Sequence, residues 1–237
     1  MNTHYNAEEW AAETTVGRQV FNYNYRMLGR EVQGWKLAKV VTMQESPDAT
    51  ERAYLWQSKS DPDREMVRVS ITERHNWRSA QESLREQLDY SMRPAIPRGT
   101  KTLAQVGDVN YVGREAQTEI AAAISFTRGN VCVSVSSVGE RNVDVSAIAR
   151  TVDRALSAPP ARREVEKGRV RAAPKVAAVE AEEAHVLVDN LGQAAPGGGW
   201  LKVIVPDGEL RREGNTLIYA SAQGGEKQVD VFIVPAN

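Results

Sequence analysis

The residues of this chain whose types could do chemistry are three histidines, one cysteine, a cluster of serines and a run of glycines. A hydrolytic zinc site needs imidazole and carboxylate ligands at short fixed spacing, as in H-E-x-x-H on one helix face. His4, His75 and His185 lie far apart, none at such a spacing. No metal site is expected, and His75, just ahead of a helical pattern, reads as a surface or capping residue. Cys132 sits inside an alternating strand pattern without a basic signal to draw out its thiolate, so it reads as a small packing residue. Ser134, Ser136 and Ser137 lack the G-x-S-x-G elbow and read as the polar face of a strand. Gly197-Gly198-Gly199 lacks the Lys-Ser/Thr of a phosphate loop, and Asp61-Pro62-Asp63 lacks the later Gly and Glu of a calcium loop. Both read as turns. No catalytic residue and no cofactor is expected.

The elements that carry these residues are clearest over residues 107–156. Val131, Val133 and Val135 alternate with Cys132, Ser134 and Ser136, the period of a strand with one buried face. Strands are predicted over 108–114, 119–127 and 130–138, with Arg128-Gly129-Asn130 as a tight hairpin signal. A helix over about 144–156 follows, its stripe formed by Val145, Ile148, Ala149, Val152 and Leu156. Upstream, an edge strand is expected over 19–25, and strands over 35–43, 53–58 and 67–72. A helix follows through Trp77, Ala80, Leu84 and Leu88, capped by Asn76 and ended before Pro94 and Pro97. Strands, helix, meander and terminal helix in that order predict an α+β fold: an antiparallel sheet with two helices packed on one face. Arg68, Ser70, Thr72, Ser125, Thr127, Ser134 and Ser136 fall in phase on the other face, either solvated or accepting a further layer.

At 237 residues, 41% hydrophobic and 26% charged, the chain suits one or two ordinary globular domains. A net charge of -1 gives no general pull toward nucleic acid or anionic lipid. One cysteine excludes an intrachain disulfide, and no run approaches the ~18 apolar residues of a membrane span. Residues 1–17 contain no apolar signal core. Read literally the chain is cytoplasmic, peripheral at a membrane if its partner is there, and periplasmic if a leader precedes Met1.

Residues 1–18 read as a flexible arm, 19–157 as the α+β sandwich domain, 158–184 as a charged Ala/Pro-rich linker, and 185–237 as a small β module. The linker is basic first (Arg162, Arg163, Lys167, Arg169, Arg171, Lys175) and acidic last (Glu180, Glu182, Glu183). The β module has strand patterns over 185–188, 201–205, 216–220 and 229–234. At about 50 residues it has too little core to stand alone, so it leans on the first domain, a second copy or a partner. Tyr54 and Trp56 share one strand face, and Trp200 follows the glycines. If exposed, these aromatics form a docking surface for other protein subunits. Arg162, Arg163, Arg169 and Arg171 are further protein-binding candidates.

The stretches VRVSITERHNWRSAQESLREQLDY and ISFTRGNVCVSVSSVGERNVDVSAIARTVDRAL resemble the PsbP/Mog1-type α+β sandwich, over residues 19–157. That resemblance implies a non-enzymatic accessory subunit docked on a larger, often membrane-bound assembly, such as a photosynthetic or envelope complex. REGNTLIYASAQGGEKQVDVFIV more faintly resembles the last strands of bacterial immunoglobulin-like modules. The expected function is therefore a non-enzymatic accessory or assembly subunit. A hydrolase with a site between the two domains, or a protein binding a small ligand or the cell envelope through its sheet face, are the alternatives.

Overall fold

The computed structural model describes residues 10, 18–27, 32–45, 49–90, 105–115, 118–160, 175–179, 184–188, 199–221 and 225–234. Alternating patterns of the first two-thirds build one antiparallel sheet from β2 (Trp35–Glu45), β3 (Ala49–Ser58), β4 (Met66–Arg74), β5 (Val109–Arg114), β6 (Ala121–Arg128) and β7 (Val131–Ser137). Its strand order is β2-β3-β4-β7-β6-β5. The register fixes which residues share a face, because directly opposed residues point the same way. Tyr54, Val69, Val135, Ile124 and Val112 form one cross-strand row, and the next row holds Ala53, Ser70, Ser134, Ser125 and Tyr111 on the opposite face.

The α+β class stands, but the two helices do not share a face. Helix α2 (Ser146–Ser157) lays Ile148, Ala149, Val152 and Leu156 on the valine face with Val131, Val133, Val135 and Phe126. Helix α1 (Trp77–Tyr90) puts Leu84 and Leu88 on the other face, with Val109, Tyr111 and Cys132. The reason lies in the second face itself, which is polar only over part of its area. The end bearing Val109, Tyr111 and Cys132 is apolar and needs cover. Trp10 joins this cluster and its carbonyl accepts a bond from Gln81 Nε2 at 3.2 Å. The arm expected over residues 1–18 is thus anchored at Trp10. Asn76 caps α1 as expected, its Oδ1 accepting the Ser79 N–H at 2.9 Å.

The C-terminal strands form further layers. Strand β1 (Gln19–Tyr23) pairs with β10 (Trp200–Val205), which pairs with β14 (Asp230–Val234). Strands β9 (Ala184–Val188), β11 (Glu209–Glu213) and β12 (Thr216–Ala220) form a second three-stranded sheet, and β8 (Lys175–Val179) pairs with β13 (Gly225–Gln228). Two expectations change here. The segment at 19–25 is a strand of the C-terminal sheet, not an edge of the large one. The span expected as linker contains β8. In both cases the tail lacks enough strands to enclose its own core and recruits them. Phe21 and Tyr23 from β1 and Trp77 from α1 complete a cluster with Leu201, Val203, Val205, Leu210, Leu217 and Tyr219.

Strand β10 is buried on both faces, which explains six consecutive buried residues in WLKVIV. Leu201, Val203 and Val205 face the tail's own core, whereas Trp200 enters the core under the large sheet. Lys202, only 2% exposed, donates from Nζ to the carbonyls of Ala155 and of Ala158, the latter at 2.7 Å. These are unsatisfied acceptors at the end of α2, where a cation also meets the negative pole of the helix. The β6–β7 hairpin completes the joint. Asn130 Oδ1 accepts the Asn22 N–H at 2.8 Å, and Asn130 Nδ2 donates to the Asn22 carbonyl at 2.8 Å. Gly129 has φ +54° and lies against the Val20 carbonyl, leaving no room for a Cβ.

Candidate functional site

Helix α1 covers only part of its face of the sheet. Beyond Leu88 a groove of about 610 Å³ remains, floored by Arg68 and Ser70 of β4, Ser134 and Ser136 of β7, Ser125 and Ala123 of β6, and Gly113 of β5. The register explains this floor. One cross-strand row runs Ser70, Ser134, Ser125, Tyr111, and the next runs Arg68, Ser136, Ala123, Gly113. Each residue of the two rows apart from Arg68 and Tyr111 is small, so an occupant can approach the backbone closely. Gln87 and Tyr90 of α1 form one wall, with Val138 at the rim and Glu51 of β3 at the far end.

Groups on this floor are partly engaged with each other. Ser125 Oγ donates to Ser134 Oγ at 3.3 Å, and Arg68 Nε donates to Ser70 Oγ at 3.1 Å. Gln87 Oε1 accepts the Cys132 thiol at 3.7 Å, a weak sulfur contact that leaves its NH₂ group facing away from that bond. Glu51 and Arg68 form no ion pair with any other described residue. Glu51 opposes Thr72, which stands four residues along β4 from Arg68 on the same face. The two charges therefore mark positions ~13 Å apart along the strand direction. A hydroxyl floor bounded by one anion and one cation can bind and orient a polar occupant. It holds no nucleophile–base pair.

The groups with shifted acidity lie elsewhere. Glu73, on the valine face, accepts the Tyr25 N–H at 3.1 Å and has Arg212 at 3.8 Å. Burial pushes its carboxyl above the ordinary range, against those bonds and the Arg212 and Arg52 charges. Asp108 is raised for the same reason, although Arg128 bonds it at 2.7 Å and also reaches Asp153 at 2.8 Å. Glu73 belongs to the joint between the large sheet and the tail, whereas Asp108 ties the start of β5 to the β6–β7 hairpin, with Arg128 bridging on to α2. Burial pushes the Cys132 thiol up to about 12, leaving it essentially protonated near neutrality. It packs against Leu84, Leu88 and Tyr111.

The aromatic docking surface expected from sequence is absent from the exterior. Tyr54 and Trp56 are enclosed in the core beneath α2 and the tail, and Trp200 packs there edge-on against Tyr25 with ring centroids 5.3 Å apart. The valine face they share has to be covered somewhere, and the tail covers it. Arg162, Arg163, Arg169 and Arg171 lie outside the described residues. The small-residue sheet face does come together as its phase implied, except that Ser137 turns to the valine side and accepts the Val143 N–H at 3.1 Å. Glu51, Gln87, Gly113 and Ala123 were not foreseen as part of a site. For Glu51 the signal existed in the phase of β3, which sets it opposite to Tyr54. For Gln87 there was none, because nothing in the sequence says how far α1 overlaps the sheet.

Among the described residues no helix is long and apolar enough to cross a membrane. No family model, curated protein or solved structure matches this chain.

Proposed function

We propose that this chain is a non-enzymatic accessory subunit that docks on another protein through the serine-floored groove beside α1. One observation carries the reading: a concave area floored by serine hydroxyls is left open on a sheet whose central strands are otherwise covered by helices and by the tail. The small C-terminal module no longer argues for an external partner, because the first unit supplies its missing strand and cover. The docking role moves to the sheet face instead. The likeness of residues 19–157 to PsbP/Mog1-type sandwiches points the same way, by analogy of fold alone. The hydrolase alternative draws no support from the groove, whose lining includes neither of the carboxyls, Glu73 and Asp108, whose pKa burial raises.

Affinity isolation of the full chain from its native source tests this, run in parallel with Ala123→Trp and Ser136→Arg, which fill the groove from two strands. A stoichiometric partner that is kept by the wild type and lost by both variants, at unchanged melting temperature, supports the proposal. A chain that travels alone, or a partner retained by both variants, overturns it.

A further inference from the structure

Resting on that reading, the geometry points to a specific occupant: we infer that the groove takes an extended peptide segment with a basic and an acidic side chain four residues apart. Glu51 and Arg68 lie at opposite ends of the floor, on one face, with the hydroxyl of Ser70 between their rows. An extended peptide repeats its side-chain direction every two residues and advances ~3.3 Å per residue. Residues i and i+4 of such a segment therefore face the floor together, ~13 Å apart, matching the spacing of the Thr72 row and Arg68. Residue i+2 then stands over Ser70, Ser134 and Ser125, within reach of their hydroxyls. The segment's backbone amides meet serine hydroxyls and the Gln87 amide, which both donate and accept. Charge complementarity thus fixes both spacing and direction.

An edge of the sheet is a poorer docking place. The free edge of β2 carries exposed Val40 and Met43, 49% and 56% exposed. Its register shifts at Leu37/Lys39 and again at Thr42/Gln44, and Lys36 and Lys39 point outward from it. Bulges and lysines are the devices that keep an edge from pairing with another chain.

The test uses the full chain and blocked pentapeptides followed by amide chemical shifts. Acetyl-Lys-Ala-Ser-Ala-Asp-amide is the probe, with a neutral Gln/Asn version and a version with the charges three residues apart as controls. Shifts at Ser70, Ser125, Ser134 and Ser136 are expected for the probe. Each half-exposed ion pair should supply roughly a three-fold gain over the neutral control. Arg68→Gln should remove the gain from Asp, and Arg68→Glu should restore it for a peptide with Lys in that place. Equal binding of all three peptides, sensitive to Ala123→Trp, overturns the inference while leaving groove docking intact. An oligosaccharide that shifts these serines while the peptides do not has the same effect. Failure of every probe to shift them, with a natural partner that still binds the groove-filled variants, overturns both.

Discussion

Replacing Trp200 by alanine separates a tail that merely follows the first unit from one that is built into it. Trp200 is 4% exposed, lies among Tyr25, Trp56 and the sheet valines, and meets Tyr25 in a T-shaped contact. Truncating a buried tryptophan costs about 3–5 kcal/mol, and losing the aromatic pair adds about 1 kcal/mol. One effect opposes these. The Trp200 Nε1–H finds no acceptor, so its removal recovers the cost of a stranded donor, roughly 1–3 kcal/mol. The net loss is about 3 kcal/mol, equivalent to a fall in Tm of about 6–12 °C for a chain of this size. Trp200→Phe keeps the ring and discards the stranded donor, so it should cost about 1 kcal/mol or less by the same reasoning. Urea unfolding followed by far-ultraviolet and near-ultraviolet circular dichroism, with hydrogen exchange read separately on β7 and β10, is the assay. One cooperative transition should shift for both strands. A loss below about 1 kcal/mol, or protection that falls in β10 while β7 is untouched, refutes the idea that β10 is shared by two cores.

Two further outcomes follow from the joint. A fragment of residues 184–237 lacks β1 and Trp77, which supply part of its core, so it should show no cooperative melt, and one that melts alone contradicts the shared architecture. Glu73 binds its proton more tightly in the folded chain because burial raises its pKa. Its contribution to stability is therefore greatest below the ordinary carboxyl range and declines as pH rises through the raised folded value. Glu73→Gln keeps an acceptor for the Tyr25 N–H and should flatten that decline in a pH series of urea midpoints, a series that stays unchanged being the contrary result.

Most individual strands and both helices were legible because each has a single dominant period. Val67, Val69 and Ile71 against Arg68, Ser70 and Thr72 give β4 from sequence alone, and the observed strand runs Met66–Arg74. Assignment of strands to sheets was not legible for the same physical reason that β1 changes sheet. Gln19–Tyr23 has the composition of any aromatic strand, and its partner β10 is more than 170 residues away. Strand β11, ELRRE, has a single buried apolar residue, and β8 hides in a stretch rich in alanine and charge. Neither carries a periodic signal. The helices' opposite placement was hidden by Cys132, Tyr111 and Val109. Each looks like an isolated small or aromatic residue until register puts them side by side. The serine face was legible, whereas the groove within it depends on where α1 stops.

Where this protein can engage another molecule follows from the order in which its apolar surfaces are used up. The valine face of the sheet is the largest such surface, and α2 takes part of it. Tyr25, Met27 and Val32, together with Trp200 and Val234 from the tail, take most of the remainder, leaving Val40 of β2 half-exposed. Strand β10 spends its second face on the tail's own core. After that the tail has no large apolar area to offer a partner, and Tyr54, Trp56 and Trp200 are already used inside the chain. What remains concave is lined by serine hydroxyls together with Leu88, Tyr90, Tyr111 and Val138, and is bounded by two unlike charges. The spacing of the two charges then sets which partner is preferred, and adds a salt-dependent share to a modest affinity. A partner using both charges should weaken by up to about ten-fold as ionic strength rises from about 0.05 to 0.5 M. A partner whose affinity does not change across that range would not be using Glu51 and Arg68.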